Sequence, residues 1–197
     1  MTSPANPNLN EVDWSRIPAP VDDGAARHLT GAAVPDVALA ATDGSTVSLG
    51  RLEGRVVVFA YPRTGRPGEP SLVSEWDMIP GARGCTPQSC AFRDRHGELL
   101  SAGASGVFGL STQDTAYQQE AAARMHLPFP LLSDEKLTFA KALKLPTMET
   151  AGHTLLKRLA MVIDGGRITQ VFYPVFPPDR NAADVLDWLK AHPRAAH

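Results

Sequence analysis

Cysteine is nearly absent: the 197 residues hold two, Cys85 and Cys90. Two thiols cannot build the disulfide framework of a small secreted domain, and in a reducing compartment such a pair points to a transient or catalytic disulfide. A closed zinc site needs four ligands, and the six histidines do not cluster near the pair, so no metal is expected. An excess of either charge is also missing, with 19 basic and 21 acidic side chains scattered along the chain. That balance gives no electrostatic reason to expect nucleic acid or an anionic membrane as partner. No apolar run approaches the roughly 20 residues that span a bilayer. The opening MTSPANPNLNEVDW has no basic segment followed by an apolar stretch. A secretory leader is therefore not expected, and a cytoplasmic location is. Internal repeats are absent as well.

What is present suits one domain with one sizeable core. Residues 1–30, rich in Pro, Ala, Asn and Asp, read as an extended arm, with the folded domain over 31–193. Two short strands meet across Asp43-Gly44, a strong hairpin signal. RVVVFAYP is a continuous β-branched and aromatic run, the pattern of a strand buried on both faces, and it ends at Pro62. Residues 63–83 turn to Gly, Pro and Ser, a long loop whose one large aromatic residue is Trp76. CTPQSCAFRDRHGELLSAG reads as a helix that tolerates Pro87 because it falls in the first turn. GVFGLST is a second buried strand, and TAYQQEAAARMHLP is a helix stopped by Pro128. EKLTFAKALKL is a short helix, KRLAMVIDGGRITQVFYP a strand, turn and strand, and DRNAADVLDWLKAH a closing helix. In that helix Val185, Leu186 and Leu189 form an apolar stripe. The class is α/β, a central mixed sheet flanked by helices with an N-terminal β-hairpin.

The chemistry sits at a helix start. Cys85 follows Gly84 where unpaired backbone N–H groups and the positive end of the helix dipole favour a thiolate. Arg83 and Arg93 add cationic field, and a thiol five residues on can capture an oxidised Cys85. Two buried core cysteines are the plain alternative. A Cys-His hydrolase built on Cys85 with His96 or His126 has no supporting spacing.

The run GCTPQSCAFRD, placed after a buried strand ending in Tyr61-Pro62, is followed by VFGLSTQD, LPFPLLSD and KRLAMVIDGGRI. Over Val34 to Leu189 this series resembles peroxiredoxins of the bacterioferritin-comigratory or Q type. The resemblance implies a thioredoxin-like fold, no cofactor, and thiol-dependent reduction of hydrogen peroxide and organic hydroperoxides. It makes Cys85 the peroxidatic cysteine and Cys90 the resolving one, joined in an intramolecular disulfide during turnover. It directs Arg158 at the thiolate and peroxide, and puts Tyr61, Pro62, Gly84 and Thr86 in the surrounding shell. Thioredoxin or a glutaredoxin-like protein would be the reductant. A monomer or weak dimer suffices, since both thiols lie in one chain.

The chain departs from the family motif Pro-x3-Thr-x2-Cys in two places. Met78 stands where the proline belongs, and Pro62 lies 23 residues before Cys85 rather than 7, implying 16 inserted residues. Ala82 replaces the threonine, leaving Thr64, Ser71 or Ser74 to supply a hydroxyl and Pro80 to compete with Pro62 as the shield. A redox-sensing or partner-binding module with little turnover is the alternative this substitution favours. In an intact helix the two cysteine Cα atoms lie roughly 8–9 Å apart, beyond the ~7 Å a disulfide spans. The helix must unwind locally to form the bond, and Pro87 and Ser89 lower that cost.

Overall fold

β3 (Arg55–Ala60) is buried along its whole length, as a run of three valines and a phenylalanine demands. Its side chains alternate between two apolar layers, because successive residues of a strand point to opposite faces. Val56, Val58 and Ala60 enter one, and Val57, Phe59 and Tyr61 the other. The computed structural model describes residues 12–194, and β3 lies near the centre of its sheet.

β3 pairs in parallel with β4 (Gly106–Ser111) and antiparallel with β8 (Leu159–Asp164). β5 (Leu131–Ser133) continues the parallel side, and β1 (Leu39–Ala41) and β2 (Thr46–Val47) close that edge antiparallel. β9 (Arg167–Phe172) closes the other, giving the order β2-β1-β5-β4-β3-β8-β9. The expected mixed sheet and its N-terminal hairpin are both there. Gly44 turns the hairpin at φ 85°, and the Asp43 carboxylate accepts from the Ser45 N–H at 2.9 Å. A separate hairpin, β6 (Thr147–Thr150) with β7 (His153–Leu156), lies outside the sheet.

The helices cover both faces. On one, α1 (Cys85–Asp94), α2 (His96–Ser101) and α5 (Asn181–Ala191) bury Phe92, Leu99, Val185, Leu186 and Leu189 against Val57 and Phe59. Opposite, α4 (Thr138–Leu143) packs Phe139 and Leu143 with Leu29 against Val56 and Val58. α3 (Thr115–Arg124), capped by the Asp114 carboxylate at the Tyr117 N–H, flanks β5. No helix of the described residues is long and apolar enough to cross a membrane.

Three details differ from the sequence reading. The helix expected from Cys85 to Gly103 is broken at Arg95, with φ −103° and ψ 7°, so α1 and α2 are distinct. β5 is a strand the sequence did not announce, because three residues are too few to show a period. Of residues 1–30, those from 12 onward hold a 3-10 turn at Trp14–Arg16, and Ala26 and Leu29 are buried in the core. Residues 1–11 lie outside the described part.

Candidate active site

α1 is held on the sheet by an aromatic stack. Phe92 lies face to face with Phe59 of β3, centroids 4.4 Å apart and planes at 6°. Stacked rings of this kind add about 0.5–1.5 kcal/mol beyond the area they bury. The helix begins at Gly84, whose φ of 108° is a conformation L side chains rarely adopt. A Cβ there would also stand 2.5 Å from Cγ of Pro178, so no other residue fits. This seats Cys85 at the first helical position, buried in the same cluster as Phe59, Tyr61 and Phe92.

Arg158, just before β8, reaches the sulfur at the start of α1. Its Nη2 donates to Cys85 Sγ at 3.3 Å, and the same nitrogen faces the carbonyls of Gly81, Ala82 and Arg83 at 3.0–3.1 Å. The Cys85 thiol also points at the Ala82 carbonyl, 3.6 Å away. The guanidinium is buried, and its Nε has no partner. Arg158 Nη1 donates to Gln88 Oε1 at 2.5 Å, and Gln88 Nε2 donates to Asn181 Oδ1 at 2.9 Å. Gln88 and Asn181 are thus buried polar links between α1, Arg158 and α5 that sequence reading missed. Gln88 sits inside the quoted motif, three residues after Cys85. Asn181 carries no local signal at all.

Cys90 lies in the second turn of α1, and both cysteines are free thiols. Burial pushes the Cys90 thiol up, opposed by the cations of Arg93 and Arg124. Arg93 is fixed by donating to the Met125 carbonyl at 2.8 Å. The helix is intact between the two cysteines, so the separation that forbids a direct disulfide applies.

The remaining expected residues fall around this pair. Thr86 lines a cleft of about 660 Å³ that both cysteines also line. Tyr61 is fully buried, and that burial pushes its phenol up, opposed by the neighbouring Ser111 and Gln118 side chains. Pro62 is buried directly after β3, whereas Pro80 is exposed and lines a small cavity behind Arg158. Ala82 is buried and offers only its carbonyl. Of the three candidate hydroxyls, Thr64 and Ser71 line the cleft and Ser74 does not. Thr64 is latched to Gln113, its N–H and hydroxyl both donating to Oε1 at 2.9 and 3.1 Å. His96 packs on Phe129 and His126 lines a separate cavity; neither lines the cleft, so neither histidine stands as the base of a Cys85 hydrolase.

Segment 63–83 is a cleft wall. Thr64 fixes one end and Arg158 the other, while Arg66 lies over the Tyr117 ring at 4.0 Å. Trp76, in a 3-10 turn, lines the cleft with Arg63 and Arg83, the last paired with Asp77.

Known proteins are similar to this chain in sequence and in fold. The Redoxin family model matches residues 29–186. Peroxiredoxin Q, chloroplastic, of Oryza sativa subsp. japonica is 35% identical over 163 residues, covering 82% of this chain and 66% of its own length. Its counterpart in Populus jackii is 34% identical over 163 residues, with 82% and 68% covered. The solved structure of Peroxidoxin BcpB from Mycobacterium tuberculosis superposes with a TM-score of 0.66 at 28% identity, over 84% of this chain and 98% of that one. On that family match and those identities, the chain belongs to the redoxin family, among the peroxiredoxins of the Q type.

Proposed function

We propose that the protein is a thiol peroxidase that reduces hydrogen peroxide and organic hydroperoxides. The observation that carries this reading is the Arg158 guanidinium, 3.3 Å from Cys85 Sγ at the start of α1. Membership of the family supports it.

The Cys85 thiolate attacks one peroxide oxygen; the S–O bond forms as the O–O bond breaks. The departing alkoxide or hydroxide takes a proton and leaves as alcohol or water. Arg158 and the backbone N–H groups opening α1 stabilise the charge that develops on those oxygens. The Cys90 thiolate then attacks the sulfur of the Cys85 sulfenic acid, forming S–S, breaking S–O and releasing hydroxide, which is protonated to water. A dithiol protein, of thioredoxin or glutaredoxin type, reduces the disulfide by exchange. Tyr61, Pro62, Gly84 and Thr86 shape the pocket rather than react. We place the protein in the cytoplasm as a monomer or weak dimer, since both thiols come from one chain; the plant relatives are chloroplastic by name.

Steady-state consumption of peroxide with thioredoxin and its reductase tests the reading. Sustained turnover is expected. One oxidation per chain with no turnover would instead favour a redox-sensing module, which the missing motif threonine at Ala82 suits.

A further inference from the structure

Trp14 lies outside the residues that match the family model, 29–186, yet it touches the start of the reactive helix. A Cβ built on Gly84 would lie 2.9 Å from Cη2 of Trp14, so the indole rests on the backbone from which α1 departs. Trp14 Nε1 donates to Asp179 Oδ2 at 2.9 Å, and its ring meets Phe176 edge-on at 6.1 Å and 78°. The turn carrying it is fixed by Asp13, whose carboxylate accepts from the Ser15 N–H at 3.1 Å and hydroxyl at 2.6 Å. Two residues beyond Asp179, Asn181 holds Gln88 in the first turns of α1. Pro178 and Asn181 therefore hold α1 at Gly84 and at Gln88, and Trp14, tied to Asp179, rests on Gly84 beside Pro178.

We propose that Trp14 is a positioning residue for the resolving step. Its latch on Asp179 and Gly84 keeps α1 wound, and release of that latch sets how fast Cys90 reaches an oxidised Cys85. This rests on the peroxidase reading. The Cys85 sulfenic acid has two fates. Attack by the Cys90 thiolate forms S–S, breaks S–O and releases hydroxide, which is protonated to water. Attack by the sulfenate sulfur on a second hydrogen peroxide forms a second S–O bond, breaks O–O and releases hydroxide, leaving sulfinic acid. Only the first fate needs α1 to unwind, so the latch governs the partition between them.

The test compares full-length Trp14→Ala, Trp14→Phe and Asp179→Ala with the wild type, using hydrogen peroxide. Acid quenching at millisecond intervals, thiol labelling and intact mass count sulfenic acid, disulfide and sulfinic acid. Disulfide formation should accelerate roughly fivefold or more in Trp14→Ala, with a smaller gain in the other two. The sulfinic fraction at excess peroxide should fall in parallel, while the rate of Cys85 oxidation stays within about twofold. Disulfide rates within about twofold of wild type in both Trp14→Ala and Asp179→Ala would overturn the latch, as would slower rates. Asp179 is exposed, so its variant remains informative if Trp14→Ala fails to fold. A wild type that never forms sulfenic acid would bring down the peroxidase reading, and the latch with it. A wild type that forms it while the variants resolve at its rate removes the latch alone.

Discussion

Arg158 and Cys85 share a hydrogen bond of 3.3 Å across 73 residues of chain, and the same guanidinium nitrogen gathers three successive carbonyls from the loop before the helix. Charge stabilisation and loop closure thus depend on one side chain. Arg158→Met should slow oxidation of Cys85 by on the order of 10²–10³, the usual loss when a preorganised donor to a developing oxyanion is removed. Stopped-flow oxidation within a few-fold of wild type would show that the arginine holds the loop only.

Cys85→Ser should abolish peroxide reduction, since a serine hydroxyl is not ionised near neutral pH and cannot replace the thiolate. Cys90→Ser should consume one equivalent of peroxide per chain and then stop. Coupled turnover of Cys85→Ser would end the assignment of that residue.

Gln88→Leu removes the link between Arg158 and Asn181 and leaves buried polar groups on both sides unpaired. A stability loss of about 1–3 kcal/mol in urea unfolding is expected. Oxidation should also slow, but less than in Arg158→Met. An unchanged midpoint would mean that water or a rotated Asn181 satisfies the gap.

The Cys90 thiol, raised by burial, must lose its proton before it attacks. Because the raised value keeps it neutral at pH 7, the thiolate fraction grows as pH rises toward that value. The disulfide-forming phase should therefore accelerate from pH 7 to 9, approaching tenfold per unit. A flat profile would show that deprotonation of Cys90 does not contribute to the rate of this phase.

Trp76 lines the cleft beside both cysteines, and α1 must unwind next to it. With Trp14 and Trp188 replaced by Phe, peroxide should change the Trp76 emission in the same phase as disulfide formation. Constant emission through that phase would mean the wall does not sense the helix.

The local signals in the chain are the parts that could be read in advance. β3 announced itself by an unbroken apolar run, the hairpin by Asp43-Gly44, and the thiols by their place at a helix start. Arg158 could be assigned only through resemblance to a family, because nothing in its neighbourhood in sequence says where it points. The polar links escaped for the same reason: Gln88 meets Asn181 across 93 residues and Thr64 meets Gln113 across 49. β6 and β7 stayed hidden because a hairpin outside the main sheet buries too little to impose an apolar alternation. The arginine at the α1–α2 break has no helix-breaking character, so its position in the chain gave no sign of the split.

Segment 63–83 leaves β3 and returns to α1 with each end tied down, at Thr64 by Gln113 and at its last carbonyls by Arg158. Topologically it is a closed ring hung on fixed posts, not a spacer between strand and helix. The distance from strand end to reactive sulfur is consequently independent of the ring's contour. Doubling the length of such a ring costs only about 0.6 kcal/mol in closure entropy. The span between the posts is therefore a place where the fold can accept or shed residues, and with them reshape who enters the cleft, without moving the sulfur.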